Sequence, residues 1–144
     1  MIKSKKLKIW TIITHAFIVV GAGHGILFLA YLEILSFPYF TKENFNFVFN
    51  ATIENHFPVI GLATLSGQIA LLFSILNKIQ NIKILSQIVG IILLWLGLAY
   101  FIYDANKDSY IYFSTITCIP FAICTIITFA GLAIRRVYNW ILDQ

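Results

Sequence analysis

Two histidines stand inside the first long apolar run of this 144-residue sequence. His15 and His24 lie between Ile9 and Glu33, a stretch that contains no lysine, arginine or aspartate. An ionisable side chain inside a membrane costs several kcal/mol unless it is partnered or serves a purpose. These two histidines are therefore the first candidates for a binding site.

His24 is the sharper candidate of the two. On a helix it lies on the same side as two glycines spaced by four residues, a pattern typical of packed helix faces in lipid. Counting helical rise places Thr64, Gln68 and Tyr100 near the depth of His24. We predict that His24, Thr64, Gln68 and Tyr100 line an intramembrane, ligand-binding polar pocket. The alternative is one structural hydrogen bond from His24 to Thr64 or Gln68.

His15 precedes His24 by nine residues, so a helix turns it to the opposite face and places it about 13 Å lower. We predict that His15 faces lipid or a partner subunit, or extends towards the cytoplasmic headgroups. Haem bound between two histidines needs both at one depth on different helices. Because His56 lies about 10 Å outside His24, the pattern argues against a haem ligated by this chain alone. It leaves any other cofactor open.

Glu33, Glu54 and His56 form a second, weaker candidate site. All three fall at the outer ends of the first two apolar runs, which antiparallel packing brings together. Carboxylate and imidazole groups are suitable metal ligands, so these three residues are a candidate metal site. The alternative is a solvated rim of hydrogen-bonded polar side chains.

The familiar catalytic motifs of soluble enzymes are absent. The sequence contains no GxGxxG, phosphate loop, HExxH, GxSxG or CxxC motif. Cys118 and Cys124 are separated by about 9 Å of helical rise, a distance that no disulfide bridges. The sequence therefore favours a protein that is not an enzyme.

The composition is that of a membrane protein. Apolar residues make up 60% of the chain and charged residues 11%, whereas soluble domains average about 45–50% and about 25%. The net charge of +4 comes from basic residues at the ends of apolar runs. That placement indicates membrane orientation and argues against nucleic-acid binding.

Four apolar runs predict an all-α, integral membrane four-helix bundle with antiparallel, up-down helices. The predicted spans are 9–33, 58–76, 84–103 and 114–134, each long enough to cross a hydrocarbon core. The basic arm before the first run also resembles a signal peptide, but the length of the run favours an uncleaved span. The aromatic-rich outer segment 36–57 predicts an interfacial helix or, alternatively, an extended segment over the bundle mouth.

The distribution of lysine and arginine predicts the orientation. The N-terminal arm has four, the second loop two and the C-terminal tail two, while only Lys42 and Lys107 fall on the other side. Eight against two places both termini in the cytoplasm of a cell with an inner membrane.

The second run, VIGLATLSGQIALLF from Val59 to Phe73, is rich in small residues and is followed by a short basic turn. Together with four spans and an aromatic outer loop, it resembles DoxX-like small bacterial membrane proteins. That resemblance implies an accessory role in respiration or thiol redox chemistry. Where such proteins have an acidic residue in the second span, this sequence has only Thr64 or Gln68, so the resemblance implies no site residues.

Two functional hypotheses follow from the sequence. The first is a non-enzymatic subunit or accessory factor of a membrane assembly, with other membrane subunits or further copies of itself as partners. It is based on the absence of catalytic motifs, the small-residue helix faces and the aromatic outer segment. The alternative is a ligand-handling protein, either a small carrier or a redox or lipid-modifying enzyme, that uses the pocket around His24.

Overall fold

The computed structural model describes residues 4–22, 25–36, 53–105 and 111–142, and this part of the chain is mostly helical. It contains five helices and one β-hairpin. The helices are α1 (Ser4–Ala16), α2 (Leu29–Ser36), α3 (Ile53–Leu76), α4 (Gln80–Ala105) and α5 (Ile111–Leu142), and the strands are β1 (Val19–Ala22) and β2 (Gly25–Phe28). The predicted interfacial segment falls mainly on residues 37–52, outside the described part.

Three of the described helices are long and apolar enough to cross a membrane. Their apolar stretches are Val59–Leu76 in α3, Gln80–Ile102 in α4 and Phe113–Gly131 in α5. They coincide with the second, third and fourth predicted spans. Helix α5 continues through Pro120. These helices support the prediction of a membrane protein.

The first apolar run forms two helices and a hairpin instead of one continuous helix. Strands β1 and β2 pair antiparallel, from Val19 opposite Phe28 to Ala22 opposite Gly25. The run Ile18-Val19-Val20, which leads into and begins β1, is β-branched, and glycines follow at positions 21, 23 and 25. β-Branched residues favour strands and glycine weakens a helix, so this stretch is a poor helix interior. His24 itself lies outside the described residues.

Helix α1 runs antiparallel to α3. At its start, the ammonium of Lys8 donates a hydrogen bond to Ser74 Oγ at 2.9 Å, close to the C-terminal end of α3. Near its other end, His15 lies beside Glu33, which is bonded to Gln68. As residue numbers rise along α1, the neighbouring numbers on α3 therefore fall.

Helix α2 runs in the same direction as α1. Its contacts with α3 include Glu33 at Gln68 and, further along, Ser36, which packs so closely on Gly61 that a Cβ there would clash with the serine hydroxyl. The start of α2 lies next to the end of α1, because the Leu29 amide donates to the Ile18 carbonyl at 2.9 Å. The hairpin thus connects two short helices that pack along α3 and run in the same direction.

Helices α3 and α4 pack backbone against backbone. A Cβ on Gly67 would lie 2.9 Å from the Gly90 carbonyl oxygen, and a Cβ on Gly90 would lie 2.8 Å from that of Gly67. One turn away, Ser86 Oγ donates to the Ala70 carbonyl at 2.6 Å. Small residues permit this approach in lipid, where packing and interhelical hydrogen bonds hold helices together. The predicted small-residue face of the second span is confirmed.

The apolar core lies between α3, α4, the hairpin and α5. Its buried members come from every element of the described part except α1 and β2, and they are Ile18, Val20, Leu29, Leu32, Ile60, Leu71, Ile91, Leu94, Leu98, Phe101, Cys118 and Phe121. Helix α5 packs mainly on α1 and β1. Its opposite face is a row of exposed isoleucines, Ile116, Ile119, Ile123 and Ile126, as expected of a surface in contact with lipid.

Lys8 is buried at the end of the bundle where the basic residues collect. Its ammonium bonds Ser74 in the last turn of α3, where the negative end of the helix dipole favours a cation. Among the described residues no carboxylate pairs with it. Burial, and secondarily the charge of Lys83, lower the pKa of Lys8 from 10.5 to about 8.

The lowered pKa of Lys8 predicts a stability that rises with pH in the alkaline range. Between about pH 8 and pH 10.5 the unfolded chain binds the proton that folded Lys8 has lost, so the free energy of unfolding increases as pH rises. We expect an increase of about 1–3 kcal/mol, measured by thermal or denaturant unfolding in detergent. In Lys8→Met this slope is absent, whereas in the exposed-lysine control Lys5→Met it is retained. An equal slope in both variants would contradict the assignment.

Candidate functional site

Glu33 lies in the middle of the bundle. Its two carboxylate oxygens accept hydrogen bonds from Gln68 Nε2 at 2.8 and 2.9 Å, and only 6% of its surface is exposed. Gln68 occupies the centre of the apolar stretch Val59–Leu76. The expectation that Glu33 stands at the outer rim is therefore wrong, because α2 carries it inwards along α3.

His15 lies next to this carboxylate. Its Nδ1 is 3.9 Å from Glu33 Oε1, and its side chain is completely buried. Neither ring nitrogen makes a hydrogen bond of good geometry to a described residue, although the Leu94 backbone lies close enough to interact with the ring. The prediction that His15 faces lipid or a partner subunit is wrong, because the hairpin that follows it ends α1 and places its last turn in the interior.

Aromatic rings close one side of the pair. The His15 ring meets Phe121 of α5 edge to face, with centroids 4.9 Å apart, and Phe121 in turn contacts Trp95 of α4 at 5.3 Å. On the other side Thr64 is fully buried beside the Glu33 carboxylate. Its hydroxyl also donates to the Ile60 carbonyl of its own helix at 2.9 Å. The polar groups thus form a small buried cluster in largely apolar surroundings, and we call this cluster of His15, Glu33, Gln68 and Thr64 the chamber.

The hairpin is what brings His15 and Glu33 together. The two residues are eighteen positions apart, which in one straight helix corresponds to about 27 Å of rise. In the structure α1 ends at Ala16, and the chain returns to the same point at Leu29, whose amide donates to the Ile18 carbonyl. The last turn of α1 and the first turns of α2 therefore become neighbours, and the separation of the two polar groups falls to 3.9 Å.

The structure brings together some of the predicted site residues and not others. Thr64 and Gln68 both face the polar chamber, and their partner there is Glu33. Tyr100 is half-buried and packs against the apolar core. His24 lies outside the described residues, so the predicted pocket around it stays a prediction.

The candidate metal site is only partly described. Glu33 is engaged by Gln68, while the side chains of Glu54 and His56 lie outside what the structure describes, although their backbone forms the start of α3. Within the described part, no three His, Cys, Asp or Glu residues are grouped in a way that can hold a metal ion. The two cysteines are free thiols there.

No known protein guides the interpretation of this chamber. No family model, curated protein or solved structure matches the chain. The resemblance to DoxX-like proteins therefore stays a prediction, and the function must be argued from the geometry.

The chemistry available to the chamber is that of a carboxyl, an imidazole, an amide and a hydroxyl. An ionised carboxylate buried without a countercharge costs several kcal/mol, and so does a protonated imidazole. The amide donation from Gln68 offsets part of that cost for Glu33. For His15 the described part offers only the Leu94 backbone beside the ring, so its nitrogens are suited to accept or donate a further hydrogen bond.

A hydrogen bond joins the backbone of the hairpin to α5, and its removal is expected to lower stability measurably. The Val19 amide donates to Thr117 Oγ1 at 3.0 Å. In Thr117→Val this amide loses its acceptor inside the protein, at a cost of about 1–2 kcal/mol. We expect faster hydrogen exchange at Val19 and a lower melting temperature. Thr128→Val is the matched control, since among the described residues the Thr128 hydroxyl donates to the Cys124 carbonyl of its own helix and not to the hairpin. Equal effects in the two variants would argue against a stabilising hydrogen bond between Val19 and Thr117.

Proposed function

We propose that this chain is a small membrane carrier that handles a polar ligand in the chamber formed by His15, Glu33, Gln68 and Thr64. The observation that carries the proposal is the burial of His15 beside Glu33, with no side chain of the described part hydrogen-bonded to its ring. Intramembrane ionisable groups are costly, and they mark ligand and ion pathways. A purely structural role is better served by an apolar side chain at position 15.

The proposal includes the course of the chain through the membrane. From Lys8 beside Ser74 to Ser36 beside Gly61, α1 and α2 together follow thirteen residues of α3, which is about 20 Å of helical rise and most of the roughly 30 Å thickness of a hydrocarbon core. Since both run antiparallel to α3, they form one interrupted crossing in addition to α3, α4 and α5. Four crossings leave both termini on one side, and the excess of basic residues identifies that side as the cytoplasm.

An interrupted crossing supports a carrier more than a purely structural protein. Non-helical backbone at membrane depth is tolerated where protein buries it or where it lines a cavity. Membrane carriers commonly place their substrate sites where helices are broken near the bilayer midplane. Here the interruption lies next to the one buried imidazole–carboxylate pair of the described residues.

A screen for ligand-dependent stabilisation tests the carrier. Purified protein is melted in detergent with a panel of small polar solutes such as amines, carboxylic acids, sugars and amino acids. A ligand present at 100 times its Kd stabilises the folded state by about 2.7 kcal/mol. We expect at least one solute to raise the melting temperature of the wild type and not that of Glu33→Gln. That solute should then enter proteoliposomes that contain the wild type.

Ser114→Ala is the matched control for the screen. Ser114 is buried on α5, and its hydroxyl has no hydrogen-bond partner in the described part, but it lies outside the chamber. We expect this variant to respond to the solute as the wild type does. If no solute distinguishes the wild type from Glu33→Gln, and native purification yields a stoichiometric partner protein, the accessory-subunit hypothesis replaces the carrier.

A further inference from the structure

We propose that His15 and Glu33 share one exchangeable proton, so that the carrier is coupled to proton movement. This inference rests on the proposed function for its purpose and deepens it by naming a coupling ion. The juxtaposition behind it is a buried imidazole whose Nδ1 lies 3.9 Å from a buried carboxylate oxygen.

The spacing of the two groups limits what passes between them. A direct hydrogen bond between nitrogen and oxygen spans about 2.7–3.2 Å, so the observed 3.9 Å is roughly 1 Å too long. If a water molecule bridged the two atoms by two hydrogen bonds in line, the distance between the nitrogen and the oxygen would be more than about 5 Å. A small rotation of either side chain closes the gap to one hydrogen bond, and the species that such a bond transfers is a proton.

The charges around the pair favour one proton and not two or none. From α3 the pair faces the neutral side chains of Gln68 and Thr64, and from α5 it faces Phe121. From α4 the pair faces the Leu94 backbone. The titratable side chains on the packed elements include the Cys118 and Cys124 thiols on α5, the Tyr31 hydroxyl on α2 and the Lys8 ammonium two turns down α1. With one proton the pair is neutral overall, whereas gain or loss of a second proton leaves a net charge in an apolar chamber.

The transfer itself is chemically simple. The O–H bond of protonated Glu33 breaks and an N–H bond forms on His15, so a neutral acid and a neutral imidazole become a carboxylate and an imidazolium. The amide of Gln68 already donates to both carboxylate oxygens, and it thereby stabilises the negative charge that develops. No oxidant, reductant or further reactant is required.

Carbodiimide labelling of the wild type tests the proton on Glu33. Dicyclohexylcarbodiimide enters apolar regions and adds covalently to protonated carboxyl groups. In nanodiscs near neutral pH we expect peptide mass spectrometry to find the adduct on Glu33 and not on acids in the polar segments, such as Glu43 and Asp108. Labelling should decline as pH rises. Resistance of Glu33 to the reagent at every pH where the peripheral acids react overturns the proposal.

Nitrogen-15 NMR of labelled histidine tests the second half of the pair. The His15 signal is assigned by its loss in His15→Phe, and its titration is compared between wild type and Glu33→Gln. Two groups that share a proton titrate as a coupled pair. We expect protonation of His15 to shift to lower pH by about one unit or more in Glu33→Gln, a tenfold change in proton affinity. Identical titrations in the two proteins overturn the sharing.

The solute screen and the proton measurements test the carrier and the shared proton separately. If Glu33 labels as expected and His15 shifts, but no solute distinguishes wild type from Glu33→Gln, the proton site stands and the carrier does not. If a solute is bound and transported while the labelling and NMR results are negative, the carrier stands without proton coupling. Ser114→Ala should leave both proton measurements unchanged.

Discussion

Gly90→Val lowers the free energy of unfolding by about 3 kcal/mol, since overpacking of a tight interface costs typically 1–3 kcal/mol and occasionally more. Already a Cβ at this position would lie 2.8 Å from the Gly67 carbonyl oxygen and 3.0 Å from the Leu71 amide. Both of these atoms belong to the backbone of α3, so no rotamer change relieves the contact. Helices α3 and α4 must separate, and this also strains the Ser86 hydrogen bond to Ala70.

Gly131→Val is the matched control for this prediction. Gly131 lies on α5 with nothing within 4 Å of the position of its Cβ, and its surface is exposed. The same substitution there should change stability by less than about 0.5 kcal/mol. Both variants are compared with wild type by unfolding in mixed micelles. Valine has a better helix propensity than glycine, so similar losses in both variants would mean that the effect does not come from the interface, and the close contact between α3 and α4 would then lose its support.

The long helices could be predicted from the sequence because the length and apolarity of each run determine its structure locally. A run such as Val59–Leu76 leaves a membrane chain no alternative to internal backbone hydrogen bonds. The small residues at Gly67 and Ala70 likewise indicated a packed face, and α4 occupies it. For these features composition and spacing contain the information.

The first run differs because its hydropathy is compatible with either a continuous or an interrupted crossing. Its length predicted a helix, and helical geometry then placed His15 on the outside. The competing signal was local: β-branched residues at 18–20, followed by three alternating glycines. Glycine pairs in membrane helices also mark packing faces, so the same residues supported two interpretations. The contact between His15 and Glu33 forms only if the hairpin interrupts the helix, and not if the run continues as one helix.

The composition of the chamber was therefore predicted only in part. Gln68 and Thr64 were identified because polar residues stand out in an apolar run and their depth follows from helical rise. Glu33 was assigned to the rim because it ends the run in sequence. In the structure α2 continues from Leu29 along α3 and carries Glu33 to Gln68. The membrane depth of a residue in a broken helix cannot be counted from the ends of the apolar run. The depth of Glu33 therefore follows only from its tertiary contact with Gln68.

The hydrogen bonds between Gln68 and Glu33 predict the largest effect within the chamber. In Gln68→Leu both carboxylate oxygens lose the donor that reaches them at 2.8 and 2.9 Å. The buried acid is then left without its amide partner, and we expect a loss of about 1–3 kcal/mol in the free energy of unfolding. Unfolding in mixed micelles measures this loss, and circular dichroism checks that the helices remain.

The double variant Glu33→Leu with Gln68→Leu separates the partnership from the general cost of substitution. Replacing both members of a buried polar pair with apolar groups of similar size is often nearly neutral. We therefore expect the double variant to be more stable than Gln68→Leu alone, with a coupling energy of about 1–3 kcal/mol. If the losses of the two single variants simply add, Gln68 does not stabilise Glu33. The chamber would then lack the support that makes a buried carboxyl tolerable, and a site at Glu33 would lose its physical basis.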